Sequence, residues 1–197
     1  MERAILVRHG ESEFSVRGLV NGDAAVPCAL TPRGVEEARR LAVALAAEEI
    51  GVCVTSEFER ARQTADIALD CRSVPRVVVP ELNDPRYGRY ECGELRLYLE
   101  WAHAHGSRDV PPGNGEARHA IAERYAAGFH KVLERPEAVV LVVAHSLPIA
   151  YVLMALSGRE PARKVDIVEH ARPYHVTQEE LEQALARIDA WCANPSW

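Results

Sequence analysis

The sequence predicts an α/β fold, a three-layer sandwich in which a mostly parallel central sheet is flanked by helices. Three observations predict it. Short apolar runs rich in β-branched residues stand at 4–7 (AILV), 52–54 (VCV), 77–79 (VVV) and 139–144 (VVLVVA), as expected of strands buried on both faces. Helix-patterned segments lie between them, and strand alternating with helix is the pattern that builds parallel sheets. Two of the runs end in charged or histidine-bearing segments, RHGE at 8–11 and AHS at 144–146. Sheets of this kind bind ligands there, beyond the carboxyl ends of their strands.

The first strand delivers Arg8, His9, Gly10 and Glu11 at its end. Along 32–49, Val35, Ala38, Leu41, Ala42, Leu45 and Ala46 recur at helical spacing behind Thr31 and Pro32, which supply an N-cap and a first turn. The strand at 52–54 leads into a helix over 60–71. After the strand at 77–79, the stretch 80–115 is rich in proline and glycine around one short helical segment near 94–104, and it reads as an excursion over the strand ends. A helix near 116–134, the strand at 139–144 and a helix at 147–157 follow. Thr177 and Glu180, in capping-box spacing, precede Leu181, Leu185, Ile188 and Trp191 on one helical face. A single domain spanning 1–197, with an insertion at about 94–135, accounts for the length.

A hydrophobic fraction of 48% and a charged fraction of 26% match an ordinary soluble chain. The formal charge of −6 disfavours nucleic acid or an anionic membrane as partner, so any bound anion needs a local site. No run of 18 apolar residues occurs, and MERAILVRHGE meets charge too early for a secretory signal. The five cysteines are odd in number and form no CxxC pair, which predicts reduced thiols and a cytoplasmic setting. Nothing in the pattern fixes the oligomeric state; a homodimer stays open.

Arg8 cannot be neutralised by burial and requires an anionic partner, either a protein carboxylate, with Glu11 the nearest in sequence, or a bound phosphate. Arg60 and Arg62 fall at the start of the helix after VCVT, where exposed backbone N–H groups favour an anion. His145 ends VVAHS much as His9 ends AILVRH. If those two strands are neighbours, four cation-capable groups share one rim.

RHGE at 8–11, the pattern GxxxxxxxLTxxG from Gly22 through Leu30, Thr31 and Gly34, SEFERARQTA at 56–65, ELNDPRYGRYE at 81–91 and VVAHS at 142–146 occur in that order. Together they resemble the histidine phosphatase superfamily, the phosphoglycerate mutase-like group, from residue 4 to about residue 157. The resemblance implies that His9 is the nucleophile and that Arg8, Arg60 and His145 surround the phosphoryl oxygens. Arg60 matches because it precedes Ala61, whereas Arg62 does not match. Asp84, four residues before Gly88, is implied as the group that protonates the leaving alkoxide and later activates water; relatives often carry glutamate there, and Glu81 and Glu91 are the alternatives. Glu116, in GNGEAR, resembles a family glutamate near the site. Ser15 stands where relatives often have asparagine and Ser146 where they have glycine, and with Gly22 and Glu116 these are expected substrate contacts. Trp101, His103, His105 and Arg108 read equally as substrate contacts or as packing residues.

The chemistry agrees with the pattern. A phosphoryl group in transfer spreads negative charge over its oxygens, so catalysis is mainly positioning and electrostatic stabilisation. The nucleophilic imidazole must be neutral at the attacking nitrogen, which predicts a hydrogen bond fixing the other ring nitrogen. Neither metal nor cofactor is required, and His103 and His105, two apart, would diverge on a helix rather than share a metal. The implied activity is a metal-independent phosphatase that hydrolyses a small phosphorylated metabolite through a phosphohistidine. The alternatives are mutase-type phosphoryl exchange, a phosphohistidine or phosphoprotein phosphatase, and a non-catalytic phosphate-binding protein.

Overall fold

Five strands form one sheet in the computed structural model, which describes residues 1–197. They are β1 (Arg3–Arg8), β2 (Val52–Thr55), β3 (Arg76–Val78), β4 (Val139–Ala144) and β5 (Pro173–Thr177), in the spatial order β3-β2-β4-β1-β5. The first four are parallel and β5 pairs antiparallel with β1. The helices are α1 (Glu13–Val16), α2 (Pro32–Ala44), α3 (Glu59–Ala68), α4 (Leu95–Ala104), α5 (Arg118–Leu133), α6 (Ser146–Leu156) and α7 (Gln178–Ala193).

Strand side chains alternate between two apolar layers, as the pleat demands. Ala4 and Leu6 of β1, with Val140 and Val142 of β4, face α5, α6 and α7. Ile5 and Val7, with Leu141 and Val143, face α2 and α3. Each fully buried aliphatic side chain adds roughly 1.5–3 kcal/mol, so β1 and β4, buried along nearly their whole length, anchor both layers and hold the strand ends in place.

The excursion after β3 packs against Val20, from the loop after α1, to form a small core of Val20, Tyr87, Tyr98 and Ala102. The expected insertion at about 94–135 divides at this point: α4 packs in that small core, while Ile121, Tyr125 and Phe129 of α5 belong to the main one. Trp101 stacks on His105 and on Tyr98, the packing alternative for those residues.

Two expectations are corrected, and one strand is additional. The strand at 77–79 is an edge strand, not one buried on both faces: Arg76 and Val78 are exposed because nothing pairs beyond it. The helix expected over 32–49 ends at Ala44; the Arg72 guanidinium binds the Leu45 and Glu48 carbonyls just past it and fixes a turn there. β5 was not expected, since PYHVT opens with proline and buries only Val176.

Two sequence signals have clear physical causes. Thr31 caps α2, its hydroxyl accepting the Gly34 N–H (3.1 Å) and donating to Glu11 Oε1 (2.8 Å). A Cβ on Gly34 would sit 2.0 Å from the Glu11 carbonyl oxygen, so the LTxxG pattern lets α2 press against the loop that carries His9. The capping box of Thr177 and Glu180 starts α7 as the spacing predicts. No helix is long and apolar enough to cross a membrane.

Candidate active site

Arg8 and Ala144 are register partners in β1 and β4, and the His9 amide donates to the Ala144 carbonyl at 2.9 Å. His9 and His145, each one residue past a strand end, therefore emerge side by side, with ring centroids 5.3 Å apart. Arg60 arrives from the first turn of α3, after β2, which pairs with the other edge of β4. Asp84 comes down from the excursion. His9, Arg60 and His145 are 4%, 3% and 0% exposed.

His9 Nδ1 lies 2.7 Å from the Gly10 carbonyl. A carbonyl only accepts, so Nδ1 carries the proton and Nε2 keeps its lone pair. The expected tautomer lock is therefore the backbone of the next residue. Thr64 braces that backbone: its hydroxyl accepts the Gly10 N–H at 2.9 Å and donates to the Arg60 carbonyl at 2.7 Å. Burial, then the charge of Arg60 and the neighbourhood of His145 and Arg8, hold the His9 imidazole well below its usual protonation range, so it stands neutral near pH 7.

Arg60 reaches three members of the group. Its Nε donates to His9 Nε2 at 3.2 Å, its Nη2 donates to Asp84 Oδ2 at 2.6 Å, and Nη2 lies 3.4 Å from His145 Nδ1. Burial pushes the Asp84 carboxyl up, but His145 and Arg60 outweigh it and hold the group well below the ordinary carboxylate range. The ionised carboxylate only accepts, so His145 Nδ1, 2.9 Å away, donates to it. His145 Nε2 then accepts from the Ser56 hydroxyl at 2.9 Å. Burial keeps this second imidazole neutral as well, against the pull of Asp84.

Arg8 Nη1 donates to the Val168 carbonyl at 2.7 Å. Glu11 is not its partner: that carboxylate turns to Thr31 and Arg33. Arg8 Nε and Arg60 Nη1 are buried and have no protein partner. Unpaired buried guanidinium nitrogens are costly, and a phosphoryl oxygen satisfies them.

His9, Asp84 and His145 place three ligand-capable atoms within 4.8 Å of one another. The Arg60 guanidinium already contacts all three, so the point a metal cation would occupy is held by a fixed positive charge. The cluster suits an oxyanion instead.

The remaining expected residues are distributed more widely. Glu81 pairs with Lys131, and both oxygens of Glu91 accept backbone N–H groups, of Gly22 (2.8 Å) and Tyr87 (2.7 Å); of the three carboxylates considered, only Asp84 joins the cluster. Gly22 lines the adjoining groove, where a Cβ would meet the Pro85 carbonyl at 1.9 Å. Glu116 also lines it, with its charge taken by Arg124. Ser15 spends its hydroxyl on Ser12, closing the capping box of α1. Ser146 accepts the Val168 N–H at 2.9 Å, thereby bracing the carbonyl that holds Arg8. Arg62 is exposed. None of Trp101, His103, His105 and Arg108 lines the groove.

His170 was missed. Its Nδ1 lies 3.0 Å from the His9 carbonyl and its ring centroid 5.5 Å from that of His9. It stands just before β5 and is brought in by an isolated bridge to Arg8, so only recognition of β5 as the neighbour of β1 would have pointed to it. Ser56 and Thr64 fall within SEFERARQTA, but no role was read from them.

Comparison with known proteins gives a consistent result. A model of the histidine phosphatase superfamily (branch 1) matches residues 4–193. The adenosylcobalamin/alpha-ribazole phosphatase of Escherichia coli is 31% identical over 169 residues, 79% of this chain and 79% of that protein. Its counterpart in Salmonella typhimurium is 38% identical over 128 residues, 62% of each chain. The crystal structure of the alpha-ribazole phosphatase from Shigella flexneri superposes with a TM-score of 0.75 at 28% identity, covering 88% of this chain and 89% of that one.

Proposed function

The chain belongs to the histidine phosphatase superfamily, and on that premise we propose that it hydrolyses a small phosphorylated metabolite through a phosphohistidine on His9. The observation that carries the reading is the convergence of a neutral His9 Nε2 with two guanidinium groups, each of which has a buried nitrogen without a protein partner.

The substrate phosphate docks on Arg8 Nε and Arg60 Nη1. His9 Nε2 attacks phosphorus as the bond to the leaving oxygen breaks, and charge on the equatorial oxygens is met by donors already in position. Asp84 is ionised while Arg60 and His145 bind it. An arriving phosphate dianion competes for those donors and adds negative charge, and both effects raise the proton affinity of Asp84. The carboxyl then carries the proton that the leaving alkoxide needs. In the second half-reaction Asp84 takes a proton from water, the hydroxide oxygen attacks the phosphohistidine, the P–N bond breaks, and inorganic phosphate leaves with His9 neutral again.

The net charge of −6 supports a small metabolite over nucleic acid as substrate, and five free thiols fit a reducing cytoplasm. Turnover of a phosphomonoester radiolabelled on phosphorus and quenched in alkaline detergent tests the reading: label should be retained on the wild type, be released by later acid treatment, and be absent from a folded His9→Ala variant that has no turnover. Full activity in that variant would remove His9 from the mechanism.

A further inference from the structure

Beyond Asp84 the oxyanion cluster opens into a groove of about 590 Å³. At its inner end Asp84 lines the wall, and behind it Arg60, 3% exposed and with Nη1 unpartnered, offsets that carboxylate. The other walls are mainly acidic: Asp23, Glu57, Glu81, Glu91 and Glu116 line them, against Arg86 and Arg124. Arg124 is taken up by both oxygens of Glu116 (2.7 and 2.8 Å), and Lys131 takes up Glu81. Glu91, held by backbone N–H groups, Asp23, bonded to the Ala25 N–H, and Glu57, bonded to Asn83, have no cationic partner. Only Arg86 remains to offset them. Ala24 and Pro80 are the only wholly non-polar side chains of the wall.

We infer, building on the hydrolase reading above, that this enzyme selects phosphomonoesters whose leaving group is uncharged and hydroxyl-bearing, and discriminates against substrates with a second anionic group. Carboxylates accept hydrogen bonds and donate none, so they match the hydroxyls of a polyol or sugar. A second phosphate or a carboxylate would lie against Asp23, Glu57 and Glu91 with one exposed arginine to receive it, and like-charge juxtaposition is how sites reject wrong partners. The same charge distribution disfavours phosphoryl exchange on phosphoglycerates, whose carboxylate would face these walls.

The test compares glycerol 3-phosphate with 3-phosphoglycerate, which share a carbon skeleton and differ by a hydroxymethyl group in place of a carboxylate. The ratio of kcat/KM should favour glycerol 3-phosphate by about tenfold or more at low ionic strength and narrow in about 0.5 M salt, as screening requires. In an Asp23→Asn, Glu57→Gln double variant the ratio should contract because 3-phosphoglycerate improves. A ratio near one or reversed in the wild type overturns the inference, as does a ratio that neither salt nor the double variant moves. A preference for 3-phosphoglycerate that disappears in Arg86→Ala would assign the groove to an anion instead. Failure of the hydrolase reading is distinguishable: neither substrate nor p-nitrophenyl phosphate would then turn over, and no phosphohistidine would form.

Discussion

Nδ1 of His145 and Oδ2 of Asp84 lie 2.9 Å apart, so the imidazole expected to face the phosphate also holds the carboxyl expected to protonate the leaving group. Replacing Asp84 by asparagine preserves shape and removes the proton. Turnover of alkyl phosphates should fall by about 10²–10⁴-fold, while p-nitrophenyl phosphate, whose phenolate leaves without protonation, should lose far less. The difference is read in kcat/KM, which covers only the steps through release of the alcohol, since kcat for both substrates also includes the water attack that needs Asp84 as base; equal losses in kcat/KM would take the acid role away from Asp84.

Arg60→Lys keeps a positive charge but not the planar fork that spans His9 and Asp84. A fall in kcat of about 10²–10³-fold is expected, the scale of losing one preorganised charge-stabilising donor. With its guanidinium partner gone, the Asp84 carboxyl should also titrate at higher pH, a shift that carboxyl ¹³C resonances can follow. A variant with near-native kcat would show that a point charge suffices at this position.

Acid should weaken the fold before most carboxylates titrate. His9 and His145 are buried and neutral, and burial places their folded proton affinity below the unfolded value near 6.5. Their contribution is complete above that unfolded value and is lost as pH falls toward the folded one, because the unfolded chain then binds more protons. Each should cost about 1.4 kcal/mol per pH unit within that window. Chemical denaturation at pH 7, 6 and 5 should show the decline, with a shallower slope in His9→Asn; an unchanged slope would mean that His9 is protonated in the native protein.

Gly34→Ala places a methyl group 2.0 Å from the Glu11 carbonyl oxygen; the methyl is fixed to the α2 backbone and the carbonyl is itself backbone, so neither can swing aside. A destabilisation of about 1–3 kcal/mol is expected, or several degrees in Tm for a chain of this size. Because the displaced loop carries His9, kcat should drop too, although no substrate contact is altered. A thermal melt and a phosphate-release assay on the same sample check both effects.

What the sequence disclosed follows from where free energy is concentrated. β1, β2 and β4 lie between two apolar layers, so their composition is forced and legible, and the residues one step past β1 and β4 could be placed at a common rim. β3 and β5 are edges; with one neighbour each they tolerate Arg76 or Pro173, and periodicity weakens. Arg8, His9, Arg60, Asp84 and His145 were readable through the ordered motifs that resemble the family; without that resemblance Arg60 could not be told from Arg62, nor Asp84 from Glu81 and Glu91. His170 was not, since its position depends on pairing between β1 and a segment with almost no strand signature. Ser15 and Ser146 show the reverse case: both stand at family positions, yet their hydroxyls bond Ser12 and Val168.

The order β3-β2-β4-β1-β5 has a consequence for the newly synthesised polypeptide. β1 and β2 emerge early but never touch; the strand that must lie between them arrives only after residue 139. A growing chain therefore carries its nucleophile and its principal arginine long before anything holds them in register, and long-range parallel pairing of this kind assembles slowly. The full set of strand contacts behind the site, including the hydrogen bond from the His9 amide to Ala144, therefore waits for the central strand, which is the last of the four parallel strands to be made.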